Sequence, residues 1–412
     1  MELLETLNRT MKLAMDEGRV SSYEEAQALF RSFRLRISVS AGFTAAPATE
    51  AAVLTLLNAA PRTFLGGVEL VGALQERCTR AWFAGEPLGR VAETFGVTVA
   101  QDASDGIPTI HVGEGVATGD QFWLGLQVTP GGFVLSPDQS ASSSVDGPIE
   151  AGVAGAGAAL SEAFLAAYRH APLAGQRTIR WKLPVTNHAW APESIWLVGL
   201  GHLGQAFLWT MALGGIGGRL PRAVRLTDDD DVSSSSLSTC LLVKATDVGR
   251  KKVDAVTDAL EALGLEVQRD YARLNLDMAV VRPVQSLAVI AVDNMALRRS
   301  LDRLRTDRVL EAGIGDGASA FTHVQVHAFP GSRQARDIWI GDDPATAQTP
   351  DLSKPAYQAL LARSGDQCGT TLVAGRAVAT PFVGAFAGAL LTALSAQSHG
   401  SVDAWNYDLA SL

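Results

Sequence analysis

The apolar run from Ile195 to Val198 leads straight into Gly199-Leu200-Gly201-His202-Leu203-Gly204, and a second apolar stretch, 203–215, follows at once. A strand that must turn this sharply into a helix commits the chain to a β-α unit. Gly199 permits the tight turn, Gly201 lets a phosphate approach the backbone, and Gly204 lets helix and strand pack closely. The helix N-terminus then offers amide donors and a favourable dipole to an anion. A GxGxxG string also occurs as a plain strand-to-helix turn, but this one has the flanking elements that a nucleotide site requires. The next strand-like stretch, AVRLT, runs straight into Asp228-Asp229-Asp230-Asp231, where a doubly wound sheet places the carboxylate that holds a ribose. Asp228 is the candidate for that role, with a solvated acidic loop as the competing reading.

A chain of 412 residues exceeds one ordinary core, so two large domains are expected. The break falls in 171–193, which contains Pro172, Pro184 and Pro192, giving units of 1–180 and 181–412. Residues 35–42, 48–60 and 66–72 read as strand, helix and strand. The series 194–201, 203–215 and 223–230 repeats that order, and each half closes on an apolar small-residue helix, 149–168 and 378–397. A diverged duplication explains this, although small residues also match by chance. The segment 73–145 yields only short strands and turns. The uncharged run 377–396 is long enough for a bilayer. It is dominated by alanine, glycine and threonine, contains Pro381 and lacks a basic flank, so a buried core helix is expected. The mixed-charge N-terminus is wrong for a signal peptide. A net charge of -9 favours neither nucleic acid nor an anionic membrane surface. Cys78, Cys240 and Cys368 form no CxxC pair, which points away from disulfides and structural zinc and toward a reducing cytoplasm.

Four elements now stand in order: GLGHLG, then DDDDVSSSSLSTC at 228–240, then Asp247-Val248-Gly249-Arg250-Lys251-Lys252, then VIAVDN ending at Asp293-Asn294. This series resembles the ThiF/MoeB and ubiquitin-activating (E1-like) family. That family's pattern is GxGxxG, Asp-x-Asp-x-Val-x-x-Ser-Asn-Leu-x-Arg-Gln, Asp-x-Gly-Lys-x-Lys and a later Asp-Asn. The segment from Cys368 through Pro381-Phe382 also resembles that family's C-terminal part. The resemblance implies an α/β fold with a Rossmann-like, ThiF-type C-terminal half. The N-terminal half, which has only Gly42 after its first strand and no acidic run after its second, resembles an inactive adenylation half. The whole would be a pseudodimer within one chain, working as a monomer or as a homodimer.

The same resemblance implies ATP and Mg2+ as cofactors. It places Gly199, Gly201, Gly204, Asp228, Asp230, Lys252, Asp293 and Asn294 at the nucleotide, with Lys252 on phosphate and Asp293 on the metal. The implied reaction is adenylation of the C-terminal carboxylate of a ubiquitin-like or sulfur-carrier-like protein, with an E2-like conjugating protein as a further partner. Thioester formation on Cys368 would follow, since a thiol at a helix N-terminus is activated. A buried structural cysteine is the alternative at that position. Cys240 is expected to line the nucleotide pocket and Cys78 to sit in a helical stretch of core. His323 and His327 share one face of a strand and are read as structural.

Three departures bear on competence, because Ser236, Thr239 and Cys240 stand where the family has asparagine, arginine and glutamine. Threonine cannot neutralise phosphate charge. Family dimers lend an arginine from a helix before the partner's first strand, which here makes Arg34, with Arg31 and Arg36, the candidates. Without the resemblance, Lys252 reads as an exposed helix lysine and Asp293 as a loop residue or helix cap. A dinucleotide-dependent oxidoreductase or a non-catalytic nucleotide-binding scaffold would also accommodate the glycine loop.

Overall fold

The computed structural model describes residues 6–101, 106–117, 122–140, 147–169, 173–185, 190–274, 286–315, 317–339, 350–397 and 403–412. Pro172 of the expected linker and the stretch 344–349 lie outside these. An N-terminal arm carries α1 (Lys12–Asp16) and α2 (Tyr23–Phe30). The first half continues with β1 (Leu35–Val39), α3 (Pro47–Thr63), β2 (Val68–Gly72), α4 (Leu88–Thr94), β3 (Thr98–Val99), β4 (Thr109–Val112), β5 (Gly115–Val116), β6 (Trp123–Thr129), β7 (Gly132–Ser136), β8 (Gln139–Ser140), α5 (Ile149–Tyr168) and β9 (Ile179–Lys182). The second half runs β10 (Ser194–Val198), α6 (His202–Gly214), β11 (Ala223–Thr227), α7 (Lys252–Glu261), β12 (Glu266–Asp270), β13 (Leu287–Ile290) and α8 (Met295–Arg298). It ends with β14 (Arg308–Ile314), β15 (His323–Phe329), α9 (Ala335–Ile338), α10 (Pro355–Ser364), α11 (Gln367–Ala374), α12 (Pro381–Ser395) and β16 (Ala404–Asp408).

The two large sheets have the orders β3-β2-β1-β4-β6-β7-β9 and β12-β11-β10-β13-β14-β15-β16. Counted from its own first strand, each reads 3-2-1-4-5-6-7. In each, the pairings from the third strand through the fifth are parallel, and the last two are antiparallel. Chance agreement of small residues does not reproduce an order and every strand direction, so the repeat is structural. The α/β class and the two Rossmann-like halves expected from the sequence are both present. Central β10 pairs Leu197 with Leu226 on one side and Val289 on the other. Its residues 195–198 are all buried, as a parallel strand covered on both faces requires.

Four helices, α3, α5, α6 and α12, fill the space between the sheets, with α12 against α5 and α6, and α5 against α3. Their small residues let backbones meet. A Cβ on Gly152 would lie 1.9 Å from the Ala48 carbonyl oxygen, and one on Gly388 would lie 2.4 Å from that of Ala206. One hydrophobic core runs through both halves, from Leu7 to Leu409. The run 377–396 contains α12, every residue of which is buried. By length and composition alone α5 could cross a bilayer, but 89% of its apolar window is buried inside the molecule.

Two local expectations need correcting. The segment 73–145 contains a helix and four strands of the first large sheet, β3, β4, β6 and β7. Cys78 is buried, but in the loop after β2 rather than in a helix.

Candidate nucleotide site

In each sheet the strand order reverses between the first and fourth strands, and the crevice beyond their C-terminal ends is where doubly wound folds take ligands. In the second half this crevice lies beyond β10 and β13. Gly199 has φ +92°, and a Cβ there would lie 2.5 Å from the Ala291 carbonyl oxygen. Gly204 packs so closely that its Cβ would come within 1.9 Å of the Gly199 carbonyl. Nothing stands within 4 Å of the corresponding position on Gly201, which N-caps α6 and leaves room for a ligand. The first helical hydrogen bond to Gly201 comes from Gln205, so the amides of the intervening first turn are free of helical acceptors. Gln205 itself donates to the Leu200 carbonyl at 2.8 Å and accepts from the Leu242 amide at 3.0 Å, tying the loop to the crossing segment.

Asp228 shapes this loop. Its Oδ2 accepts from the Leu200 amide at 2.6 Å and its Oδ1 from the Asp230 amide at 2.8 Å. Burial raises its pKa, partly offset by Lys252 and the two amides. Lys252, the first residue of α7, places Nζ 2.7 Å from Asp230 and 4.0 Å from Asp228. Burial works against its charge, yet the two carboxylates outweigh it and raise the lysine pKa. Its side chain is only 12% exposed, so the reading as an exposed surface lysine is set aside. Among the described residues, the carboxylates close enough to share one cation are Asp228, Asp229 and Asp230, with oxygens within 4.8 Å. Asp293 is exposed on the loop that follows β13 and abuts Gly199. Its neighbour Asn294 N-caps α8, accepting from the Leu297 amide at 3.0 Å, so that side-chain oxygen is already engaged.

The serine run forms a single 3-10 turn, Ser234–Ser238, with Ser233 as its cap. Thr239 and Cys240 follow, both buried. Burial raises the Cys240 thiol pKa although three cations, Lys252, Arg62 and Arg9, act in the opposite direction. Arg62, on α3 of the first half, donates to the Leu237 carbonyl at 2.5 Å and the Val243 carbonyl at 3.3 Å. Burial lowers its pKa to about 10.

Arg9 arrives from the N-terminal arm. Its amide donates to Ser238 Oγ at 3.3 Å, and Thr10 Oγ1 donates to the Ala379 carbonyl at 3.1 Å. Burial and the like charge of Arg376 lower the Arg9 pKa, while Cys240 and Asp293 act the other way. His202 Nε2 donates to the Thr380 carbonyl at 2.8 Å. Burial holds this imidazole neutral, with a pKa near 4, and its Nδ1 is a buried acceptor without a hydrogen-bond partner. The glycine cradle and the surrounding cations fit a phosphate-bearing ligand, whereas the His202 acceptor suits a hydroxyl or amino donor. A separate cleft of about 1050 Å³ adjoins the site across the arm and the serine turn, with Asn8, Arg62, Trp82, Phe95, Trp209 and Ser238 in its lining.

Arg34 is exposed on the turn entering β1, and no described contact joins it to the glycine loop. Arg31 is exposed as well, and Arg36 is paired with Glu69 at 2.5 Å. The arginines from before β10 that reach the serine turn and Cys240 are Arg9, on the arm, and Arg62, on α3. Cys368 is exposed as the second residue of α11, which overturns the buried structural reading. No described contact links it to the glycine loop. Asp366 caps its helix, accepting from the Gly369 amide at 2.8 Å. His327 is buried on Glu311 at 3.1 Å and His323 lies 3.4 Å from Asp408, so both are structural in the described residues.

The matching crevice of the first half carries its own carboxylate beside a cavity of about 310 Å³. Glu76 accepts from the Gly42 amide at 2.7 Å, the Thr44 amide at 3.2 Å and Thr44 Oγ1 at 2.6 Å. Burial opposes this charge, but the three donors outweigh it and lower the pKa. A carboxylate thus stands where an anion would bind.

Family models for the BilD N-terminal domain and the BilD C-terminal domain match residues 34–183 and 191–400. The chain is similar to the bacterial E1-like protein BilD of Collimonas sp. (strain OK412), with 32% identity over 420 residues that cover 96% of this chain and 89% of that protein. Among solved structures it is similar to selenomethionine PaaA, with 23% identity, a TM-score of 0.27, and coverage of 32% of this chain and 40% of that one. It is also similar to E. coli MccB with succinimide, with 15% identity, a TM-score of 0.31, and coverage of 48% and 54%. The chain therefore spans about half or less of those two structures.

Proposed function

Because the chain belongs to the BilD family of bacterial E1-like proteins, we propose that it uses ATP to adenylate the C-terminal carboxylate of a ubiquitin-like or sulfur-carrier-like protein. The convergence of Lys252 and Arg9 on the glycine loop is the observation that carries this reading. The carboxylate oxygen attacks the α-phosphorus, the bond to the bridging oxygen breaks, and pyrophosphate leaves with the electron pair. Negative charge grows on the phosphoryl oxygens during attack, and fixed cations in a partly dry site are the effective way to offset it. The first-turn amides of α6 hold phosphate, Lys252 is held charged by Asp228 and Asp230, and Arg9 supplies the cation that Thr239 cannot. Mg2+, when bound, neutralises phosphate charge, with Asp293 and the carboxylates of Asp228–Asp230 as the oxygen donors available.

The first half, with Glu76 in its own loop, is the inactive partner of this pseudodimer and contributes Arg9 and Arg62. Exposed Cys368 is the acceptor for a subsequent thioester, in which the thiolate attacks the acyl carbon and AMP leaves. An E2-like protein would then receive the acyl group. Thr239 favours one alternative, a nucleotide-binding scaffold without turnover. ATP–pyrophosphate exchange with candidate carrier proteins tests the proposal, with the wild type active and Lys252→Ala and Arg9→Ala strongly impaired. Absence of exchange with every carrier, together with thermal stabilisation by NAD and not by ATP, would overturn it in favour of a dinucleotide site.

A further inference from the structure

Arg9 and Arg376 come from opposite ends of the chain, yet the backbone holds them beside one another at the glycine loop. Thr10 bonds to the Ala379 carbonyl, three residues after Arg376, and His202 of the loop bonds to the neighbouring Thr380 carbonyl. The Arg9 amide is fixed in turn on Ser238. Among the described residues, neither guanidinium has a carboxylate within salt-bridge distance, although Arg376 acts on Asp230 and Arg9 on Asp293 at longer range. Two like charges brought together without an intervening anion repel, and partial burial of Arg9 adds to that cost. Hydrogen bonds elsewhere hold the pair in place, so its field is available to an anion that carries more than one charge.

Arg376 acts on Asp230, the partner of Lys252 at 2.7 Å, while Arg9 acts on Asp293 and on His202 of the loop, and three cations around one loop suit a phosphate chain rather than a single phosphate. We propose that Arg9 and Arg376 form a two-ended clamp for the diphosphate portion of the bound nucleotide, with Arg376 a further binding residue. This inference rests on the reading that the loop holds ATP. Arg376 follows α11 directly, so the clamp also ties the helix that exposes Cys368 to the state of the phosphates.

The test is calorimetric titration of the full chain with ATP, AMP and inorganic pyrophosphate, each with Mg2+, on the wild type, Arg376→Gln and Arg376→Lys. Arg376 is exposed, so these variants should fold as the wild type does. The expected result is that Arg376→Gln weakens ATP and pyrophosphate about tenfold or more, the usual size of one charge-assisted contact. AMP affinity should stay within about twofold, and Arg376→Lys should recover part of the loss. If the wild type binds both nucleotides and Arg376→Gln leaves the ratio of ATP to AMP affinity unchanged, the clamp is wrong and the nucleotide site stands. If the wild type binds neither nucleotide, the site reading fails and the clamp fails with it.

Discussion

Asn294 shows how one side chain can be claimed by two roles. The family resemblance assigns it to the nucleotide, while its geometry makes it the cap of α8. Asn294→Ala should cost about 1 kcal/mol in urea unfolding, whereas Asn294→Asp should retain the cap. A loss of ATP affinity in both variants would return Asn294 to the ligand. Lys252 has no such division, and its removal should lower pyrophosphate exchange by roughly two to three orders of magnitude. Its raised folded-state pKa means that its contribution to stability is complete below the ordinary lysine value of 10.5 and is lost only as pH rises through the higher folded value. The placement of Lys252 beside Asp228 and Asp230 was legible because strand, glycine loop and Asp-x-Gly-x-x-Lys spacing are local. Arg9 was not, because its position depends on an arm crossing between halves, which no local pattern encodes. Thr239 signalled that a cation was missing but gave no sign of where its replacement came from.

Among the elements, α5 carries an unusual acid. Glu150 is buried in its first turn, and burial raises its pKa to about 7. Since the folded-state value exceeds the ordinary 4.5, ionisation costs stability progressively between those two pH values and by a constant amount above them. Glu150→Gln should therefore raise the Tm at pH 8 and change it little near pH 4, as thermal melts at the two pH values will show. The order of magnitude at pH 8 is a few kcal/mol. An equal gain at both pH values would point to packing instead. Long periodic elements such as α3, α5 and α6 were readable from sequence. Strands β4 and β6 were not, because a few apolar residues between glycine and proline turns carry too little periodicity to separate from loop. Their pairing with β1 and with each other is decided by the sheet.

At the scale of the molecule, the site draws on both halves through one hydrophobic core, so a single chain should suffice. Exchange activity per chain is expected to stay constant from nanomolar to micromolar protein, measured beside the sedimentation profile. Activity that falls away on dilution together with a dissociating dimer would contradict this. The crevice of the first half, whose amide donors Glu76 already occupies, also predicts where the chain tolerates change. In a symmetric pair every substitution is made twice, and none at a working site is spared. Here a change near Gly42 or Glu76 occurs once, away from the reacting atoms. A saturation library scored for exchange should accept many residues at Thr44 and Gln75 and few at Gly199, Gly204 or Asp228, leaving the first crevice as ground on which a new binding function could be built without loss of the old one.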